Sequence, residues 1–308
     1  MTIDTYKDSY DGERIFILGN GPSLGRTPLH LLSDEYTFGV NNIANIFEQT
    51  DWRPSFYLAI HDPPNIPKDN VKKVIDLNVA CFFPDDRLQY IPDKENVERF
   101  RRHHLSEKTD IDVSDYQINW ESIRGYQDVW SEDVSEVVYQ YTTVLYPAMQ
   151  IANYLGFTEY YLLGCDLFDE WNLHMIFEKG ADPATYRPAN DSKPGMYYDF
   201  LSSSDYPLRS FVNGVAYKLL NSVLFRKAHP YLLKIDGRFA NNAHFYDSYD
   251  VGKLLAGNQI RNGQMIRAHR LAKEVSSEVR FDIYNATLGG SLEVHRRVDL
   301  YELLGVEA

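Results

Sequence analysis

A chain of 308 residues in which 44% are apolar is long and apolar enough to bury a substantial core, which excludes an intrinsically disordered protein. The formal net charge of −13 leaves no overall basic footprint for nucleic acid, and no apolar run approaches the roughly 18–20 residues of a membrane span. Cys81 and Cys165 both sit in apolar runs, which reads as buried free thiols and leaves no cysteine metal site.

The opening MTIDTYKDSYDGER is polar and acidic and lacks the basic start and apolar middle of a signal peptide, so a cytoplasmic protein is expected. The first strand is predicted at Arg14–Leu18. It runs into a turn of Gly19, Asn20, Gly21 and Pro22, after which Ser23 and Leu24 are predicted to open a helix. Further strands are predicted at Tyr36–Val40, ending in Asn41 and Asn42; at Ser55–Ile60, ending in His61 and Asp62; and at Asn78–Phe83. Residues 86–135 read as a charged, irregular insertion, in which Arg99, Arg101, Arg102, His103 and His104 suggest a solvated helix face.

A helix from Pro147 to Leu155 then leads through Gly156 to a strand at Glu159–Leu163, ending in Gly164, Cys165 and Asp166. Residues 169–250, rich in proline and aromatics, read as a helical lid or acceptor-binding insertion. A helix at Asn258–Val275, with Met265, Ile266, Leu271, Ala272 and Val275 on one side, precedes a last strand at Arg280–Tyr284 that ends in Asn285. His295, Arg296 and Arg297 beyond it read as an exposed basic turn. Strand, turn and helix alternate, so the fold class is α/β, a doubly wound, mainly parallel, Rossmann-like sheet. The sheet is assigned to residues 1–168 and 251–308, interrupted by the 169–250 lid.

Ligands of open α/β sheets bind beyond the carboxyl ends of the strands. The residues there are unusually polar: Asn20, Asn41, Asn42, His61, Asp62, Asp166 and Asn285. Such side chains can hydrogen-bond a base, a ribose or a phosphate, and each is also an ordinary turn or cap residue. Gly19, Gly21 and Gly25 let a backbone approach a ligand. Their spacing differs from the dinucleotide fingerprint, and the turn lacks the Lys-Ser/Thr of a P-loop.

Four segments in order carry a resemblance: IFILGNGPSL, FGVNNI, ANYLGFTEYYLLGCDLF and FDIYNATLGGSLEVHRRVDLYELL. Together they resemble a bacterial sialyltransferase-like superfamily. That superfamily takes in lipo-oligosaccharide sialyltransferases, motility accessory factors and an archaeal pterin diphosphokinase branch. The resemblance implies a glycosyltransferase that uses a CMP-activated or other nucleotide-activated sugar without a required metal and acts on a glycan or protein acceptor, and it is compatible with a homo-oligomer. By position it implies nucleotide contacts from Asn20, Gly21, Ser23, Asn41 and Asp62, with Thr142 or Thr143 near the cytidine segment. Gly19, Pro22, Asn42, Asp166 and Asn285 join this set from their places at the strand ends.

The chain departs from that pattern where catalysis would sit. Phe168 stands where the sialyltransferases have a leaving-group tyrosine, and the base position falls near Ser248. Among residues that could serve instead, His244 is the first candidate base, followed by His61 and Asp166; Tyr197, Tyr198 and Tyr246 are candidate phosphate donors. Two other readings remain open. One is an ATP-dependent pterin pyrophosphokinase, with Mg2+ on Asp62 and Asp166; the other is a nucleotide-binding module without catalysis.

Overall fold

The computed structural model describes residues 3–63, 65–105, 125–167, 251–290 and 292–306, with residue 22 and the stretch 251–264 described in backbone only. The 169–250 insertion, with His244, Tyr197, Tyr198 and Tyr246, lies outside the described residues.

The strands are β1 (Arg14–Leu18), β2 (Thr37–Val40), β3 (Phe56–Leu58), β4 (Ala80–Pro84) and β5 (Val97–Phe100). They continue with β6 (Arg102–His104), β7 (Val138–Gln140), β8 (Glu159–Leu163), β9 (Asp282–Asn285) and β10 (Arg296–Arg297). The helices are α1 (Lys68–Ile75), α2 (Leu145–Tyr154), α3 (Val251–Val279) and α4 (Leu300–Leu304). Eight strands form one sheet in the order β10-β9-β8-β1-β2-β3-β4-β5, and β6 pairs with β7 in a separate ribbon. Every pairing between these strands is parallel. The fold is α/β, a Rossmann-like parallel sheet flanked by helices.

Parallel strands covered on both faces are near-continuous apolar runs, and RIFIL is buried from Ile15 onward. Side chains alternate across the sheet, so Ile15 and Ile17 join one core layer with α2 and α3. Phe16 and Leu18 join the other, with α1 and the short turns after β1 and β2. Aromatic rings cross strands within the second layer: Phe16, Tyr161 and Tyr284 stack in sequence at centroid distances of 5.3 and 5.1 Å.

Several expectations need correction. Ser23 and Leu24 belong to a single 3₁₀ stretch, Pro22–Arg26, because Gly25 and Pro28 break any longer helix. The strand ends shift by up to two residues: β2 starts at Thr37, β3 spans Phe56–Leu58, β4 spans Ala80–Pro84 and β9 spans Asp282–Asn285. The helix before β9 is longer than expected, Val251–Val279, and it buries Ile266, Leu271, Ala272 and Val275.

The 86–135 stretch is not irregular throughout, because it supplies β5 to the main sheet and β6 to the ribbon. Of the basic run, Arg99 lies in β5 and Arg102, His103 and His104 lie in β6, with Arg101 between them, so these residues form no helix face. The Arg99 guanidinium donates to the carbonyls of Pro84, Arg87, Leu88 and Ile91 at 2.9–3.3 Å. Arg102 donates to Gln140 and Asp86 at 2.8 and 2.7 Å. These cations tie down a loop that lacks a helix of its own.

Gln150 of α2 is fully buried and holds the ribbon to the sheet. Its Oε1 accepts from the amides of Ser131 and Tyr139 at 3.2 and 3.0 Å, and its Nε2 donates to the carbonyls of Tyr139 and Tyr146 at 2.7 and 3.2 Å. A leucine there strands buried backbone groups, each of which costs about 1–3 kcal/mol. Gln150→Leu is therefore expected to lower the unfolding free energy by about 2–4 kcal/mol in urea titration; a loss within 0.5 kcal/mol, the range of an ordinary surface change, would refute the assigned role.

Candidate functional site

The chain moves outward from β1 through β2, β3, β4 and β5, and then returns to place β8 on the other side of β1. Strand order therefore reverses between β1 and β8. In doubly wound sheets the crevice outside the carboxyl ends at such a reversal is where ligands bind. The two turns flanking it are Gly19–Ser23, after β1, and Gly164–Asp166, after β8.

These turns are bonded to each other. The Gly19 amide donates to the Leu163 carbonyl and the Gly21 amide to the Gly164 carbonyl, both at 2.8 Å. The Ser23 hydroxyl donates to Asp166 Oδ2 at 2.8 Å, and the Ser23 amide donates to Oδ1 at 3.2 Å. The Leu24 amide returns to the Gly21 carbonyl at 3.0 Å. The amides expected to face a phosphate therefore meet acceptors of the protein, one of them a carboxylate.

The glycines follow from this contact. A Cβ on Gly21 would collide with the Asp166 carboxylate, and one on Gly19 would lie 2.6 Å from the Gly164 oxygen. From the far side, a Cβ on Gly290 would lie 2.5 Å from the Asp166 carbonyl oxygen. Asp166 is thus held between two glycines and is 3% exposed. Burial pushes its carboxyl up to about 7, against the opposing pull of the Ser23 bonds and the Arg26 charge. Burial also raises the neighbouring Cys165 thiol, with the Asp166 charge adding to the effect, so that sulfur stays protonated.

The other candidates mostly tie their turns to neighbouring strand ends, helices and loops. Asn20 Nδ2 donates to the Val40 carbonyl at 2.9 Å, joining the β1 turn to the end of β2. Asn41 adopts the left-handed region, φ 47°, and its Oδ1 accepts from the Ile60 amide at 3.3 Å. Asn42 faces α1, donating to the Asn65 carbonyl at 3.0 Å and accepting from Asn70 at 3.3 Å. His61 is exposed. Asp62 accepts from the Leu88 amide at 2.7 Å and pairs with Arg87 at 3.2 Å, so it closes the loop after β4.

Thr143 Oγ1 accepts from the Leu145 amide at 3.3 Å, where α2 begins, and Thr142 before it has φ 32°. Asn285 donates to the Leu292 carbonyl at 2.7 Å and accepts from the Thr287 amide at 3.0 Å. Of the candidates, then, Gly19, Gly21, Ser23 and Asp166 converge at the crevice. Asn20 and Asn41 line the next crossover. Asn42 is engaged with Asn65 and α1, Asp62 with the loop after β4, and Thr143 and Asn285 within their own loops. Among the described residues, no three His, Cys, Asp or Glu side chains gather where a metal ion could be held, and no helix is long and apolar enough to cross a membrane.

Of the residues that shape the crevice, Thr287 is not singled out from the sequence, and Arg297 reads there only as part of an exposed basic turn. Thr287 Oγ1 accepts from the Cys165 amide at 3.1 Å and fixes the turn after β8. Arg297 donates to the carbonyls of Thr287, Gly289 and Gly290 at 2.8–3.3 Å and so holds the loop that abuts Asp166. The expected exposed basic turn is instead β10 together with His295, which is buried. His295 Nε2 meets His269 Nδ1 of α3 at 3.0 Å, and Lys273 donates to the Val294 carbonyl at 2.9 Å. Gly289 and Gly290, both with positive φ, are the sequence signal for the tight turn in this loop.

No protein-family model matches the chain, and no curated protein does. Among solved structures, it is similar to the MAf glycosyltransferase from Magnetospirillum magneticum AMB-1, at 14% identity and a TM-score of 0.44. The match covers 97% of this chain and 37% of that one, so this chain spans well under half the length of that protein. At such values the likeness carries no argument about activity.

The histidine pair gives the site an acid-sensitive support. Burial lowers His269 to about 4, and burial with the nearby His269 and Lys273 charges lowers His295 well below the usual histidine range. The unfolded chain protonates its histidines near pH 6.5, before the folded one does, so this contribution to stability is complete above that pH and is lost as pH falls toward about 4. Each histidine adds a slope of about 1.4 kcal/mol per pH unit within that window. Relative to wild type, His269→Gln is expected to flatten the fall in unfolding free energy between about pH 6.5 and pH 4.5; parallel profiles in denaturant titration would refute the assignment.

Proposed function

We propose that the chain transfers a sugar from a nucleotide-activated donor to a hydroxyl of a glycan or protein. A CMP-linked nonulosonic acid is the first candidate donor. The observation that carries this reading is the meeting of the LGNGPSL turn and the LLGCD turn at the reversal of strand order between β1 and β8. The ordered resemblance of four segments to sialyltransferase-like enzymes supports the same class.

In this reading the acceptor oxygen attacks the anomeric carbon, the bond from that carbon to the phosphate oxygen breaks, and CMP leaves. His244 takes the acceptor proton, Tyr197, Tyr198 and Tyr246 donate to the departing phosphate, and no metal is required. The 169–250 segment is the lid that excludes water. In the same reading Asn20 and Asn41, whose bonds join the ends of β1, β2 and β3, contact the nucleoside.

A thermal-shift panel of CMP, CDP, UDP, GDP and ATP near pH 6.5, with and without magnesium, tests this. The expected result is stabilisation by CMP without metal, by about 2.7 kcal/mol at a hundredfold excess over its dissociation constant. Stabilisation by ATP with magnesium alone would replace the reading with a pyrophosphokinase. No stabilisation by any nucleotide would end both.

A further inference from the structure

Asn41, at the end of β2, is held at every hydrogen-bonding group but one. Its backbone amide donates to the Leu58 carbonyl at 2.8 Å, and its carbonyl accepts from the Tyr57 hydroxyl at 2.5 Å. Its Oδ1 accepts from the Ile60 amide at 3.3 Å. A backbone N–H only donates, so the side-chain atom that faces Ile60 is the oxygen, and the nitrogen is left over. That Nδ2 makes no hydrogen bond among the described residues, and Asn41 is half-buried rather than enclosed.

The hold comes from both sides. The Asn41 backbone is in the left-handed region, φ 47°, which asparagine enters at less cost than most residues. Tyr57 braces it from β3, where the ring is fully buried, and burial pushes the phenol well above the usual tyrosine range, so the hydroxyl stays a donor. On the other side Asn20 donates to the Val40 carbonyl at 2.9 Å and fastens the residue before Asn41 to the turn after β1.

We propose that Asn41 Nδ2 donates to the ribose 2′-hydroxyl of the bound nucleotide and that Tyr57 is the positioning residue that aims it. This deepens the proposed function and rests on it for the presence of a nucleotide. In doubly wound sheets that take dinucleotides, an acid beyond the second strand accepts from the ribose 2′-hydroxyl. Asn41 has that place after β2, but its acceptor is consumed by Ile60, so it can only donate. A hydroxyl accepts as well as donates, so the sugar fits with its hydrogen bond reversed. A group that only donates, such as an ammonium, finds no partner there. Without the Tyr57 hydroxyl the Asn41 carbonyl loses its partner, and the direction of Nδ2 is no longer fixed.

The test reads a ratio of affinities. CMP and 2′-deoxy-CMP, and ATP and 2′-deoxy-ATP with magnesium, are titrated calorimetrically near pH 6.5 into wild type, Asn41→Gly, Asn41→Asp and Tyr57→Phe. Wild type is expected to prefer the ribonucleotide of the pair it binds by about three- to tenfold, the size of one neutral hydrogen bond. Asn41→Gly keeps the left-handed backbone without the donor and is expected to bring the ratio to about one. Asn41→Asp offers an acceptor to which the 2′-hydroxyl donates in turn, so the preference returns. Tyr57→Phe is expected to lose most of the preference. A role in stability alone would weaken both members of a pair alike and leave the ratio at its wild-type value.

Equal binding of both members of a pair by wild type overturns the proposal, as does a wild-type ratio in Asn41→Gly. A wild-type ratio in Tyr57→Phe overturns the positioning role, and so does failure of that variant to fold, because it would assign the hydroxyl to stability. Equal binding of the CMP pair sinks the donor assignment and leaves the nucleotide-sugar reading. A ribose preference seen only with the ATP pair, and lost in Asn41→Gly, sinks the CMP reading and leaves the assignment. Binding of none of the four nucleotides ends both.

Discussion

The seam between β1 and β8 is the constraint on which the rest depends. Five residues of each strand pair in register, from Arg14 with Glu159 to Leu18 with Leu163. That register brings Gly19 opposite Gly164 and so brings Ser23 within reach of Asp166. A slip of one residue would turn Ile15 and Ile17 into the layer of Phe16 and Leu18 and separate the two turns. The core is therefore what aims the polar groups. Burial of the apolar faces sets the register, and the register sets which amide meets which acceptor.

The strand ends are stitched rather than open. Asn20 reaches the end of β2, Asn41 reaches the end of β3, and Asp62 reaches the loop after β4. Each such bond contributes about 0.5–1.5 kcal/mol net, but leaving a buried partner unpaired costs more. The polar rim is then held chiefly by the penalty for breaking it. A ligand entering the crevice must replace what it disrupts. Ser23 gives two donors to a carboxylate whose burial opposes its charge, so breaking that contact leaves buried polar groups on both sides.

The sequence disclosed the sheet better than the rim. RIFIL and EYYLL are apolar runs bounded by glycine turns, and β1 and β8 lie where those runs place them. The strand VERF was not legible, because Glu98 and Arg99 interrupt its apolar pattern and Arg99 is used inward, on loop carbonyls. The polar turn residues were legible as a group, but their partners were not. Asn42 follows β2 as Asn20 follows β1, and Asn285 ends β9, yet Asn42 serves α1 and Asn285 the loop to Leu292. Partner choice depends on contacts far apart in the chain; Asp166 lies 143 residues from Ser23. Single-chain spacing carries no trace of such a contact except the glycines that make room for it.

Asp166 and the His269–His295 pair are buried titratable groups on either side of one loop, and their effects on stability have opposite sign. The carboxyl is raised, so the folded state holds its proton more firmly than the unfolded chain. Its contribution is complete below about pH 3.8 and is lost as pH rises through about 7. The histidines are lowered, and their contribution is lost in the other direction, as pH falls below about 6.5. Between these limits the carboxyl offsets the slope of one of the two histidines, so the profile of the whole chain understates both perturbed sites. The loop from Thr287 to His295 touches both, with Gly290 against Asp166 and His295 against His269. Arg297 donates to three carbonyls of that loop and so braces the segment that touches both sites.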